Sequence, residues 1–133
     1  MINLPTVIVK GIPKSIQAQS VADWKQQVTN AARQVFSAPL AGNSITVRIT
    51  VFYNKRPTFD TDNISKPIVD ALNNVAFIDD KQVMERTAKR QKINGSFRIK
   101  GVEVALAKAI AEGDDFVCIE VRKLSRREVE ILQ

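Results

Sequence analysis

Residues 44–54 read SITVRITVFYN, with Ile45, Val47, Ile49, Val51 and Tyr53 alternating with Thr46, Arg48, Thr50 and Asn54. A period of two puts one set on each side of an extended chain, so this stretch predicts a half-buried strand. After a loop containing Pro57, Ile64, Ile68, Leu72 and Val75 recur at spacings of three and four and mark the apolar side of a helix. Residues 82 to 93 then look extended but polar on both faces. The rest of the chain organises around this strand, helix and strand. Upstream, Thr6 to Ile12 (TVIVKGI) predicts a first strand closed by Pro13. Val21, Trp24, Val28, Ala31, Ala32 and Val35 predict a helix over 19 to 36, ended by Pro39 and Gly42. Downstream, Asn94-Gly95 supplies a tight turn. Ala105, Leu106, Ala109 and Ile110 predict a short helix closed by Gly113, and Phe116 to Val121 a final strand. Ser125 and Glu128 have capping-box spacing for a short terminal helix. The order β-α-β-α-β-α-β indicates an α+β (mixed α/β) domain spanning 1–133, one mixed sheet packed by helices.

With 133 residues, 44% of them hydrophobic, the chain suits a single core. No apolar run approaches the roughly 18 residues a membrane span needs, and Met1 to Pro5 lacks the layout of a secretory signal, so a cytoplasmic protein is expected. The single cysteine, Cys118, excludes an internal disulfide and is expected to be buried and inert. The lack of histidine removes the usual zinc sites and histidine as a general base. No small-molecule organic cofactor is expected. The net charge of +6 is unevenly spread: residues 60 to 80 hold five acids and one base, net −4, leaving +10 elsewhere. The basic remainder fits a polyanion, and the acidic window fits a hard divalent cation.

Asp60 and Asp62 are two apart, so in an extended segment they share a side and can share an ion. A helix capped by Asp62 or Asn63 places Lys66 and Asp70 along one face, with Pro67 near its start. Asp79 and Asp80 follow Phe77-Ile78, where a loop leaving the helix can swing a carboxylate back. Crowded carboxylates repel, which Mg²⁺ relieves, Mn²⁺ being a possible substitute. Such an ion polarises a phosphodiester and activates water, and Lys66 would offset charge building on the phosphorus. Taken singly, DTDN is a helix cap and Asp79-Asp80 a solvated turn. Lys66 and Asp70 would be a surface pair worth at most about 0.5 kcal/mol, and nothing more is expected of Asp70.

The unbroken run from Asp60 to Val83 is D-T-D-N-I-S-K-P-I-V-D-A-L-N-N-V-A-F-I-D-D-K-Q-V. It resembles the RusA family of Holliday-junction resolvases, whose pattern is an aspartate pair followed by Asn, a Lys four past the second aspartate, Asp-Ala-Leu, then Asp-Asp-x-Gln-Val. The resemblance implies metal binding by Asp60, Asp62 and Asp80, an essential Lys66, and supporting roles for Asn63, Asp79 and Gln82. It also implies a homodimeric, Mg²⁺-dependent nuclease that makes paired cuts in four-way DNA, serving recombination and repair in a phage or prophage setting. The chain departs from the pattern before the first aspartate, where Lys55-Arg56-Pro57-Thr58-Phe59 displaces the family's arginines. It departs again at Pro67, where a helix former is expected, and at residues 97 to 115, which look like an added element.

Residues 86 to 100 contain six bases and no acid. Arg86, Lys89, Arg90 and Lys92, with Lys55 and Arg56, are the candidate contacts to branched DNA; a solvated edge strand is the alternative. Trp24 and Phe52 are expected in the core. Three rival functions use the same residues: a non-catalytic branched-DNA-binding domain, a flap or fork nuclease, and a haloacid-dehalogenase-type phosphatase. The last needs DxDGT, and DTDN lacks its Gly-Thr ending.

Overall fold

A computed structural model of the chain describes residues 6–13, 20–55, 61–94 and 104–124, for residues 61 and 62 the backbone alone. The alternating run becomes β2 (Ile45–Tyr53), a central strand of a four-stranded mixed sheet. β4 (Phe116–Lys123) pairs antiparallel with β2 on one side and with β1 (Thr6–Lys10) on the other. β3 (Val83–Lys92) pairs parallel with β2 and forms an edge, giving the spatial order β1-β4-β2-β3. A parallel neighbour requires a crossover, and α2 (Thr61–Leu72) is that crossover.

The period of two sorts the core. Ile45, Val47, Ile49 and Val51 join Val117, Ile119 and Val121 of β4 and Val7 and Val9 of β1 on one face of the sheet. Against this layer α1 (Val21–Arg33) buries Trp24, Val28 and Ala32, and α2 buries Ile64, Ile68 and Leu72. Fully burying each large aliphatic contributes about 1.5–3 kcal/mol, so this layer is the main source of stability. On the opposite face, α3 (Val104–Glu112) sets Ala109 against Phe52, Phe116 and Cys118. The Phe52 and Phe116 rings stack there with centroids 4.6 Å apart. Cys118 is buried, as expected. α3 ends at Gly113, whose positive φ of 80° lets the chain turn off while its N–H still donates to the Ile110 carbonyl at 3.1 Å.

Four local expectations differ from the structure. β2 is not half-buried: helices cover both faces of the sheet, Thr46, Thr50 and Phe52 are buried as well, and Arg48 is its one exposed residue. The first helix stops at Arg33, so Val35 is 42% exposed and Phe36 is buried in its place. α2 starts at Thr61, which makes Asp62 and Asn63 first-turn residues and not caps. Pro67 consequently sits inside the helix, where it offers no N–H to the Asn63 carbonyl one turn back. β1 ends at Lys10, two residues early. The predicted terminal helix at Ser125 and Glu128, and Gly95 of the predicted turn, lie outside the described residues.

Candidate active site

The end of α2 decides where the second pair of acids goes. Asn74 adopts a left-handed φ of 67°, a conformation asparagine tolerates, and its N–H donates to the Phe77 carbonyl at 2.7 Å. That turn reverses the chain. Leu40 N–H donates to the Ala76 carbonyl at 2.8 Å and pins the return to the loop before β2.

Gln82 then locks the next four residues. It is only 8% exposed, and its side-chain carbonyl accepts from the N–H groups of Ile78 and Asp79 at 2.7 and 2.9 Å. Its amide nitrogen donates to the Leu40 and Gly42 carbonyls at 2.9 and 2.8 Å. Asp79 caps a single 3-10 turn, Asp80–Gln82, by accepting from the Lys81 N–H at 2.9 Å. The Asp-Asp-Lys-Gln segment is thus a capping box whose first two side chains are held at the surface.

The electrostatics show what surrounds Asp80. The Asp79 carboxylate, hydrogen-bonded to it, holds the Asp80 carboxyl above the ordinary carboxylate range. Partial desolvation and the negative charges of Asp79 and Asp70 add to that shift, and Lys66 opposes it. Asp79 moves the opposite way, lowered first by the Lys81 N–H and then by the hydrogen bond to Asp80. Lys66 Nζ lies 3.6 Å from Asp70, and Lys25 of α1 lies 4.0 Å from the same carboxylate. Two segments of chain, α2 and the turn before β3, therefore place Asp79 and Asp80 within electrostatic range of Lys66 and Asp70.

A cleft of about 240 Å³ opens beside Asp80, lined by Val69 of α2 and by Val83, Met84 and Arg86 of β3. Val83 pairs with Ile45 and Glu85 with Thr46, so Met84 is the extra residue of a bulge. Beyond it, Arg86, Arg90 and Lys92 pair with Val47, Val51 and Tyr53, on the face of the sheet that α1 and α2 cover. Lys89 pairs with Thr50 and faces the other side. The basic strand is divided between two faces, and only part of it borders the cleft. Lys55 and Asn63 are exposed. Asp60 and Arg56 lie outside the described residues, as does the side chain of Asp62. Among the described residues no group of three or more His, Cys, Asp or Glu side chains could hold a metal ion.

Sequence reasoning missed Lys25 and underrated Asp70. Lys25 lies 45 positions before its partner, and no local spacing announces a contact between two helices. Asp70 was visible as an i, i+4 partner of Lys66, but its influence on Asp80 depends on the Asn74 reversal.

A family model described as Endodeoxyribonuclease RusA matches residues 7–107, from β1 into α3. No curated protein matched the chain.

Proposed function

The chain belongs to the RusA family of endodeoxyribonucleases, and from that premise we propose that it hydrolyses phosphodiesters at four-way DNA junctions with the help of Mg²⁺. The observation that carries this reading is that Asp80 stands within the electrostatic reach of Lys66 and Asp70, although a helix end and a chain reversal separate them. The donor chemistry fits the ion. Asp80 offers carboxylate oxygens in surroundings whose like charges a cation relieves, and nearby Asp79 adds to that negative field.

Asp60, Asp62 and Asp80 would hold Mg²⁺, or Mn²⁺ in its place. When bound, the ion supplies Lewis-acid polarisation of the scissile phosphate and an activated water. The chain's own residues do the rest. Lys66, with 55% of its side chain exposed, offsets the negative charge that builds on the phosphorus. Asp70 restrains that ammonium from the next turn. Gln82 and the Asp79 cap fix the direction of Asp80, and Asn63 supports the first turn of α2. Arg86 lines the cleft and contacts the cut strand, with Lys55, Arg56, Arg90 and Lys92 placing the flanking phosphates. Lys89, on the far face, is left for DNA arms that wrap the edge strand.

A two-fold homodimer would present two such sites to a substrate of near two-fold symmetry, and each site would cut one strand. A role in recombination and repair, cytoplasmic and of phage or prophage origin, accompanies this proposal. No described helix is long and apolar enough to cross a membrane. The test is cleavage of a labelled synthetic four-way junction with Mg²⁺, beside flap, fork and linear duplexes. Paired, symmetric cuts confined to the junction are expected. Cutting of flaps or forks alone would assign the site to a different nuclease, and binding without cutting would leave a DNA-binding domain.

A further inference from the structure

A second and larger depression, about 520 Å³, lies between α1 and α2 with Asp70 in its wall, and shares no lining residue with the Asp80 cleft. Lys25, Gln26, Thr29 and Arg33 line it from α1, and Asn73 and Asn74 from the end of α2. Lys25, Thr29 and Arg33 follow at i, i+4 and i+8, so they form one stripe along the helix. At 1.5 Å per residue the two cations stand about 12 Å apart along the axis, the rise of roughly three to four phosphates on one B-form strand.

The charges in this groove are underneutralised. Asp70 is shared by Lys25 at 4.0 Å and Lys66 at 3.6 Å, and Arg33 has no ion-pair partner among the described residues. The Thr29 hydroxyl has its one hydrogen within reach of the Ala71 carbonyl at 2.9 Å and of the Lys25 carbonyl of its own helix at 3.0 Å, so it can link the two helices at the groove. Asn73, at the far end of the groove, has a buried Oδ1 with no hydrogen-bond partner among the described residues. A groove edged by the Lys25 ammonium, which only shares Asp70, and by the Arg33 guanidinium fits a sugar-phosphate backbone.

Resting on the nuclease reading above, we propose that the α1/α2 groove seats a second stretch of DNA backbone, distinct from the strand cut at Asp80, with Lys25 and Arg33 as its phosphate contacts. Asp70 is the partition between the two tracks. Its negative charge keeps phosphate off the crest of α2, and of its two lysines only Lys25 lines the groove.

The experiment is the salt dependence of junction binding in EDTA, where cutting does not interfere. Removing one cation that neutralises a phosphate lowers the slope of log K against log salt by about 0.9. Arg33→Ala and Lys25→Ala should each lower it by about that amount, and the double variant by about twice as much. Arg33→Lys should keep the slope, and Lys108→Ala on α3, outside the groove, should match wild type. Equal slopes for the double variant and Lys108→Ala would overturn the proposal, as would a wild type that does not bind DNA. If the slopes fall as expected but wild type never cuts with Mg²⁺, the groove stands and the nuclease reading fails. If wild type cuts and the slopes do not move, the groove fails alone.

Discussion

Lys66 and Asp70 pair across one turn of α2 at 3.6 Å, and both act on Asp80, which the chain reaches only after reversing at Asn74. An exposed i, i+4 pair adds little to stability. Its place next to a third charged group gives it a different use, because each member biases Asp80 in an opposite direction.

Asp70→Asn removes one of the charges that raise the Asp80 carboxyl. The Asp80 pKa should fall, and the acidic limb of the cleavage profile should move to lower pH, though Asp79 is the larger influence. Rates measured from acid to neutral pH check this. A limb that moves to higher pH contradicts it.

Much of this arrangement was legible in the residues. The alternation at 45–53 marked β2 because its two faces meet different surroundings, and the 3.6 period of Ile64, Ile68 and Leu72 marked α2. The start of α2 was misread because Asp60, Thr61, Asp62 and Asn63 are all acceptable caps, and side-chain chemistry alone does not choose among them. Val35 fitted the helical period but follows the helix end. Partners set by topology were not legible: Gln82 bonds carbonyls about 40 positions upstream, and Lys25 reaches Asp70 across two helices. The bulge at Met84 and the parallel register decide which bases of β3 face the cleft, and polar residues on both faces gave no hint of either.

Gln82→Leu keeps the volume but strands two N–H groups and two carbonyls around the 3-10 turn. Water can reach some of them, so a loss of about 2–4 kcal/mol is expected in urea unfolding. Cleavage should fall further than the folded fraction does, because Asp80 loses its fixed direction. Activity that simply tracks the folded fraction would make Gln82 structural only.

Phe116→Ala removes one ring of the stacked pair under α3, in the smaller core away from the cleft. Unfolding should cost about 3–5 kcal/mol less than in wild type. Cleavage per folded molecule should not change.

Lys10 on β1 and Glu112 on α3 pair at 2.9 Å, which holds the glutamate below and the lysine above their ordinary values of 4.5 and 10.5. The glutamate's lowered pKa means its share of stability is present above 4.5 and is lost as pH falls through the folded value. The lysine's raised pKa means its share is present below 10.5 and is lost as pH rises through the folded value. A double-mutant cycle with Lys10→Met and Glu112→Gln should therefore give a small, flat coupling between those limits that fades outside them. Both groups are exposed, so added salt should weaken it.

Metal affinity tests the convergence of separate segments most directly. Mn²⁺ binding, followed by the loss of the free-ion paramagnetic resonance signal, would be compared for wild type, Asp60→Asn, Asp62→Asn and Asp80→Asn. Each variant should bind at least about tenfold more weakly, because even outer partners of metal sites typically cost that much. Asp80→Asn binding Mn²⁺ as tightly as wild type, while Asp60→Asn and Asp62→Asn do not, would contradict a site shared between α2 and the turn before β3.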